Sequence, residues 1–304
     1  MKPKLQVASC RLQVPQVDVP ARFSSTFNFQ PSTFNLRRAF TLIEMLAVIF
    51  ILGVLAALLV PALKNIGHAD AMTAATRQML DDVGRARQLA ISQHTTVYMV
   101  FVPENFWNGL NAAQQAMPAT TNLCDKQLTG YTFVSLRSVG DQPGQGKPHY
   151  IAPWQNLPDG TFIAQNKFIP PDQFFYISPW DKDYHNSPPN HPVSIYGFAT
   201  NNSAASSIGI PFPTVDAPSV LLPYVAFNYL GQLTFDGQNP ASRDEYIPLA
   251  RGSVAPAIDP ATKAYQLGSP IISEMPDGNS TNAYNIIDIE PLTGRATLQQ
   301  PKVK

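Results

Sequence analysis

Cysteine is nearly missing from this sequence: Cys10 and Cys124 are the two thiols in 304 residues. A disulfide framework is excluded, and if the N-terminal segment is removed, as argued below, Cys124 has no intramolecular partner. Charge is also sparse, at 14% of residues, and balanced at 21 basic against 21 acidic side chains. The balance hides an asymmetry. Residues 1–39 carry Lys2, Lys4, Arg11, Arg22, Arg37 and Arg38 against Asp18 alone, which leaves 15 basic and 20 acidic side chains in the remainder, a net charge near −5. Such a body has no bulk attraction for nucleic acid, whose binding is led by phosphate neutralisation.

Catalytic signatures are missing too. There is no His-Glu-x-x-His, no Cys-x-x-Cys pair, no Gly-x-Ser-x-Gly and no glycine-rich phosphate loop. The five histidines, His68, His94, His149, His185 and His191, are scattered. Two oxygen-rich stretches remain: "DKDYHN", with Asp181, Asp183 and His185, and "DGNSTN", with Asp277, Asn279 and Thr281. The second spaces alternate oxygens of the kind calcium takes. Neither has the further ligands of a known loop, and Asp, Asn and Ser collect in surface turns for backbone reasons alone.

What the sequence does have is one long apolar run, "LRRAFTLIEMLAVIFILGVLAALLVPAL", residues 36–63. From Met45 to Leu63 no residue is charged, and at ~1.5 Å rise per residue that length suits a ~30 Å hydrocarbon layer. Arg37 and Arg38 precede it, so the positive-inside tendency places the N-terminus in the cytoplasm and everything after Leu63 across the membrane. Gly53 and Pro61 lie inside the run, where a kink or local unwinding can occur. Glu44 is the anomaly. A carboxylate inside a span costs ~2.5–3.5 kcal/mol at the centre and less near an end. If the chain were cut before Phe40, Glu44 would lie four residues beyond a new α-amino group, and an adjacent copy's amine could neutralise it in low dielectric.

The helical period continues beyond the run. Met72, Ala75, Met79, Val83, Ala86 and Ala90 recur at three- and four-residue steps, an amphipathic stripe expected to pack on a soluble domain. Arg77, Asp81 and Arg85 stand four apart and read as an exposed or inter-subunit face together with Asp70. Met72, Met79, Leu80 and Val83 read as the packed face. After Ser92 the pattern turns to strands: "TTVYMVFV", "YTFVSL", "YVAFNYLGQLTFDG", "EYIPLARGSV", "YNIIDIEP" and "GRATLQ". Between the second and third lies a Pro-, Asn- and aromatic-rich stretch at about 137–220, expected to be a long irregular insertion with a few short strands, packed through Trp154, Phe174, Phe175, Tyr176 and Trp180. Residues 1–35 show no period and open a loose repeat, "STFNFQP" then "STFNLRR", within the segment 1–39. They are read as a processed leader or an over-extended start.

The segment from Arg37 to about Leu63, with its basic pair, its Phe-Thr-Leu-Ile-Glu string and Gly53 and Pro61 at their offsets, resembles the prepilin cleavage and methylation segment of type IV pilins and type II secretion pseudopilins. The resemblance implies that a prepilin peptidase cuts between Ala39 and Phe40 and methylates the new amine of Phe40. Glu44, then the fifth residue, would pair with that amine in a neighbouring subunit. Further implied partners are other pilins or pseudopilins and an inner-membrane assembly platform. The family usually has Gly before the cut, and Ala39 departs from that.

Past the helix, "ADAMTAATRQMLDDVGRARQLAISQHTTVYMVF" is similar to the GspH/FimT type of minor pseudopilin, as are "YVAFNYLGQLTFDG" and "IIDIEPLTGRATL". Some FimT-like proteins are associated with DNA uptake through a Gly-Arg-x-Arg motif. Here Gly294, Arg295, Ala296 and Thr297 lack the second arginine, which argues against nucleic acid as a partner. Some pseudopilins bind calcium, which keeps Asp277, Asn279 and Thr281 in view; no other cofactor is implied.

The expectation is thus an α+β protein whose long N-terminal helix packs on an antiparallel β-rich pilin-like domain. It comprises a leader (1–39), a membrane half (40–63), an amphipathic half (64–93) and a periplasmic domain (94–304). Its function would be structural and non-enzymatic, as a single-pass inner-membrane minor pseudopilin. Two rivals stand. One is a type IV pilus minor pilin with a ligand-binding head. The other is an exported binding protein or enzyme that uses residues 37–71 as a signal and is cut after Ala71, although the apolar run exceeds the usual signal length of about 7–15 residues.

Overall fold

The computed structural model describes residues 41–137, 140–141, 146–177, 193–199, 209–282 and 285–300; within the first helix the side chains of residues 57–70, like those of Ile177, Val193 and Asn282, are outside the description. The chain divides into two units, residues 1–55 and 56–304.

Helix α1 runs from Leu42 to Gln93, 52 residues. Its first turn is organised by Thr41, whose hydroxyl and carbonyl oxygens accept the Glu44 backbone N–H at 3.3 and 3.0 Å. In the first unit its side chains are exposed all round: Leu42, Ile43, Ile49 and Phe50 are between 65% and 84% accessible. Among the described residues no helix is long and apolar enough to cross a membrane. The described side chains of the apolar run end at Ala56, so the membrane half expected at 40–63 lies partly outside them.

In the second unit the helix is followed by strands β1 (Val97–Phe101), β2 (Gly130–Ser135), β3 (His149–Tyr150), β4 (Gln155–Asn156), β5 (Thr161–Ile163), β6 (Phe174–Ile177), β7 (Val193–Tyr196), β8 (Ile210–Pro211), β9 (Ser219–Val220), β10 (Tyr224–Phe227), β11 (Leu233–Thr234), β12 (Glu245–Ala255), β13 (Ile271–Glu274), β14 (Asn285–Ile289) and β15 (Ala296–Gln299). All the pairings are antiparallel. One sheet has the order β11-β10-β1-β2-β3, with β4 also on β2; the other has the order β13-β12-β14-β15, with β5 also on β12. The α+β class is therefore as expected, and all six quoted strand segments contribute strands.

The amphipathic half of α1 explains why the sheets lie where they do. Ala75, Met79, Val83, Ala86 and Ala90 are fully buried, in one cluster with Met99, Phe101, Tyr131 and Phe133 of the first sheet and Ile163, Ile247, Leu249 and Ile287 of the second. Three of the five stripe residues are alanine, which lets strand side chains approach the helix backbone. Burying Met79 and Val83 contributes about 1.5–3 kcal/mol each. Met72 and Leu80 flank the cluster, half-buried, and Arg77, Asp81 and Arg85 are exposed. The opposite face of β1, β2 and β10 is covered in turn by Phe106, Leu110, Leu123 and Cys124 from the segment between β1 and β2, and by Ile210 of β8 and the adjoining Phe212. Both faces of β1 and β2 are thus dry, which accounts for the unbroken apolar run of β1 and for the full burial of β2, its Thr132 and Ser135 included.

The stretch at about 137–220 divides where a single irregular insertion is expected. Its early part supplies β3, β4 and β5 to the two main sheets, and Trp154 packs against Tyr150 and Phe212. The β6–β7 hairpin lies on Ile286 and Tyr246 through Phe175 and Ile195, with Phe174 and Tyr176 outward. Trp180 lies outside the described residues. The reason is turn chemistry: the prolines and asparagines interrupt the strands without removing them from the sheets.

Helix α1 ends in a Schellman turn, with the His94 N–H on the Ile91 carbonyl at 3.4 Å and the Thr95 N–H on the Ala90 carbonyl at 3.2 Å. The left-handed position that this motif usually gives to glycine is held by His94, at φ 49°. Replacing His94 by Gly is expected to raise unfolding stability by about 1 kcal/mol, read by chemical denaturation of the purified chain.

Candidate functional site

In the first unit the site is the start of α1. Thr41-Leu42-Ile43-Glu44 has the Ser/Thr-x-x-Glu form of a capping box, and the half seen is the Thr41 hydroxyl accepting the Glu44 N–H. Glu44 is exposed in the first turn, where the positive end of the helix dipole favours a carboxylate. Local chemistry thus already gives Glu44 a place at this end. It leaves the carboxylate free to take a cation from outside the helix. Around it, Leu42, Ile43, Met45, Leu46, Ile49 and Phe50 are more than half exposed, and a helix apolar on all sides needs lipid or other helices around it. Ala39 and Phe40, the expected cleavage pair, lie outside the described residues.

In the second unit three polar networks fix the helix and the strands. The Tyr131 hydroxyl donates to Asp82 Oδ2 at 2.5 Å and accepts from Gln78 Nε2 at 2.7 Å, and Gln78 also donates to the Asn156 carbonyl at 2.8 Å. Burial, then the bond to Asp82, pushes the Tyr131 phenol well above its ordinary range. Arg87 Nε donates to the Gly231 and Thr293 carbonyls at 3.2 and 2.7 Å, tying two turns to one helical position. Sequence reading does not anticipate the third network. Lys167 and Glu245, 1% and 2% exposed, form a buried ion pair, and Lys167 also donates to the Tyr196 carbonyl at 2.6 Å and lies 4.7 Å from the Phe198 ring centre. Burial pulls the Lys167 ammonium down and pushes the Glu245 carboxyl up, while each charge pulls the other back. Nothing in "QNKFIPP" or "RDEYIPLA" marks these two residues as partners.

The calcium candidate has a different use in the fold. Asn279 is buried, and its carboxamide accepts the Arg251 N–H at 2.9 Å and donates to the Arg251 carbonyl at 2.5 Å. The Thr281 hydroxyl donates to the Gly278 carbonyl at 3.0 Å, and Asp277 is exposed. The Asn279 oxygen is therefore occupied by backbone. Asp181, Asp183 and His185 lie outside the described residues, and among the described residues no group of three or more His, Cys, Asp or Glu side chains could hold a metal ion.

At the end of α1 a cavity of about 800 Å³ is lined by His94, Thr96, Tyr98, Arg137, Tyr229 and Asp236, among others. Burial pushes the Asp236 carboxyl up, but hydrogen bonds from the Asn239 side chain, the Gln238 and Asn239 backbone N–H groups and the Thr234 hydroxyl outweigh it and hold the pKa down to about 2. Asp236 is thus spent on its own turn. The remaining lining carries both signs of charge and selects no ligand class.

Replacing Lys167 by Met would leave Glu245 buried without its partner, at an expected cost of about 3–5 kcal/mol. The double change K167M/E245L should recover much of that loss, and unfolding midpoints of both variants check it.

Residues 34–60 match the family described as the prokaryotic N-terminal methylation motif. Comparison with curated proteins and with solved structures gave no match. The matched span covers the basic pair, the expected cut and Glu44. A motif of this kind implies in general a prepilin peptidase and other pilins as interaction partners, and it supports a type IV pilin-like protein.

Proposed function

We propose that this chain is a structural minor pseudopilin of the GspH/FimT type, anchored once in the inner membrane with its β-rich domain in the periplasm. It is built into a type II secretion pseudopilus or a related pilus-like fibre, and it is not an enzyme. The observation that carries the reading is the coincidence, within residues 34–60, of the methylation motif with an exposed, all-round apolar helix start that holds one carboxylate. Exposed apolar surface of that extent is stable only when lipid or neighbouring helices cover it.

In this reading prepilin peptidase cuts before Phe40 and methylates its amine. The chain enters the inner-membrane assembly platform, and Glu44 of the incoming copy receives the ammonium of a neighbour. The capped first turn supports the step, because Thr41 holds the Glu44 backbone while the side chain stays exposed. Pairing removes two charges from a low-dielectric bundle together, and an unpaired Glu44 would remain outside it.

A second reading, a type IV pilus minor pilin with a ligand-binding head, is favoured by the outward Phe174 and Tyr176 on the β6–β7 hairpin, 44% and 55% exposed. Copurification separates the two: an outer-membrane secretion channel in one case, a retraction machinery in the other.

Mass spectrometry of the N-terminal peptide from native membranes should find a chain beginning at N-methylated Phe40. A start at Met72 would replace this reading with the exported-protein one, because Glu44 would be absent from the mature chain. Given correct processing, Glu44→Ala should insert into membranes as well as the parent yet enter fibres about tenfold less, an outcome read by quantifying sheared fibres.

A further inference from the structure

Asn108 and Gly109 form the one Asn-Gly pair in the sequence. Both are exposed, in the segment between β1 and β2. An asparagine carboxamide is open to attack by the backbone nitrogen that follows it, and glycine, lacking a Cβ, obstructs that approach least. A Cβ built at Gly109 meets nothing within 4 Å, so the space around this nitrogen is empty as well. Among the described residues no hydrogen bond holds the Asn108 carboxamide. Asn279, which precedes Ser280, differs: it is 2% exposed, and its carboxamide is spent on both backbone groups of Arg251.

The pair lies in a single 3-10 turn, Phe106–Gly109, and that turn is weakly built. It starts from Asn105 in the left-handed region, at φ 55°, without a side-chain cap. The Asn108 N–H donates to the Asn105 carbonyl and the Leu110 N–H to the Trp107 carbonyl, both at 3.0 Å. Such turns have poorer hydrogen-bond geometry than an α-helix, and exposed backbone bonds with few buried contacts open at little cost. The flanks are held more firmly. Phe106 and Leu110 are 5% and 6% exposed, and Gln115 Nε2 donates to the Trp107 and Leu110 carbonyls at 3.0 and 3.1 Å. Local opening therefore concentrates on Asn108 and Gly109.

We infer that Asn108 is a site of spontaneous succinimide formation, which converts it to aspartate and isoaspartate while the domain stays folded. The turn opens, and the Gly109 backbone nitrogen attacks Asn108 Cγ. An N–Cγ bond forms and the Cγ–Nδ2 bond breaks. The carboxamide nitrogen leaves as ammonia, taking the proton that Gly109 gives up. Water then adds to one or the other carbonyl of the ring and opens it to aspartate or to isoaspartate. Either product carries a carboxylate in place of a neutral amide. Isoaspartate also lengthens the backbone by one methylene between Phe106 and Leu110, which pack in one cluster behind the first sheet. Close-packed side chains feel a displacement of that size, so the ageing chain loses stability there. The inference does not rest on the fibre reading.

The test incubates the purified full chain in detergent micelles, in mildly alkaline and in mildly acidic buffer, and follows the peptide that contains residues 105–110 by mass spectrometry. A gain of one dalton at residue 108 is expected, faster in alkali, with aspartate and isoaspartate told apart by electron-based fragmentation. Gly109→Ala has room for its methyl group and should slow the conversion about fivefold, because a Cβ then stands beside the attacking nitrogen. Far-UV circular dichroism of G109A shows that the fold persists. The unfolding midpoint should fall with incubation in the parent and hold in G109A. A chain unfolded in urea gives the rate without the turn. Conversion at residue 108 in urea but not in the folded chain, or equal rates in the parent and G109A, would overturn the inference.

Discussion

The contact between the alanine-rich stripe of α1 and the two antiparallel sheets is the constraint on which the rest of the second unit depends. Ala75, Ala86 and Ala90 have little bulk, so Met99, Phe101, Phe133 and Ile247 reach the helix, and the two sheets share one core beneath it. Apolar burial alone would let the helix rotate or slide. The Tyr131–Asp82–Gln78 bonds and the Arg87 bonds to two turns are directional and set its rotation and register. The division of labour is general: the hydrophobic term brings surfaces together without orientation, and buried polar groups select among the possible arrangements.

At the other end of the helix the logic is reversed. Residues 42–55 present apolar side chains on every side and one carboxylate in the first turn. No face is singled out, so the environment of this part is supplied from outside the chain. The two halves of α1 therefore obey different solvents. The amphipathic half is satisfied within one molecule, whereas the apolar half acquires its energetics from what surrounds it.

Much of this organisation was legible in the sequence, and the pattern of successes follows physical rules. The stripe from Met72 to Ala90 shows a helical period because one face meets a core. β1, β2 and β14 read as strands because they are buried almost throughout and rich in β-branched and aromatic residues, and the buried first half of β12 reads the same way. Glu44 stood out because a charge in an apolar run has to be explained. β3, β4 and β5 were legible only as a few short strands without positions, because strands of two or three residues among prolines carry too little alternation to place them. The Lys167–Glu245 pair was hidden for another reason: the two residues are 78 positions apart, and their pairing exists only after the chain has folded. Asn279 looked like a metal ligand because a turn that feeds oxygens to a cation and a turn that feeds them to a backbone use the same residue types.

Arg87 has one more consequence. The two carbonyls that it holds belong to turns more than sixty residues apart, and those turns touch: a Cβ at Gly294 would meet the Gly231 carbonyl at 2.1 Å and the Phe227 ring at 3.1 Å. Gly231 and Gly294 also adopt positive φ, 78° and 61°. One side chain and two hydrogens in place of side chains thus form a single mechanical joint. A side chain at Gly231 would press on Ile91 and Arg87, and one at Gly294 on the Gly231 carbonyl and Phe227, so a change at any of the three positions disturbs the others. A distant chain that shares this architecture would be better recognised by Arg, Gly and Gly at these separations than by overall identity.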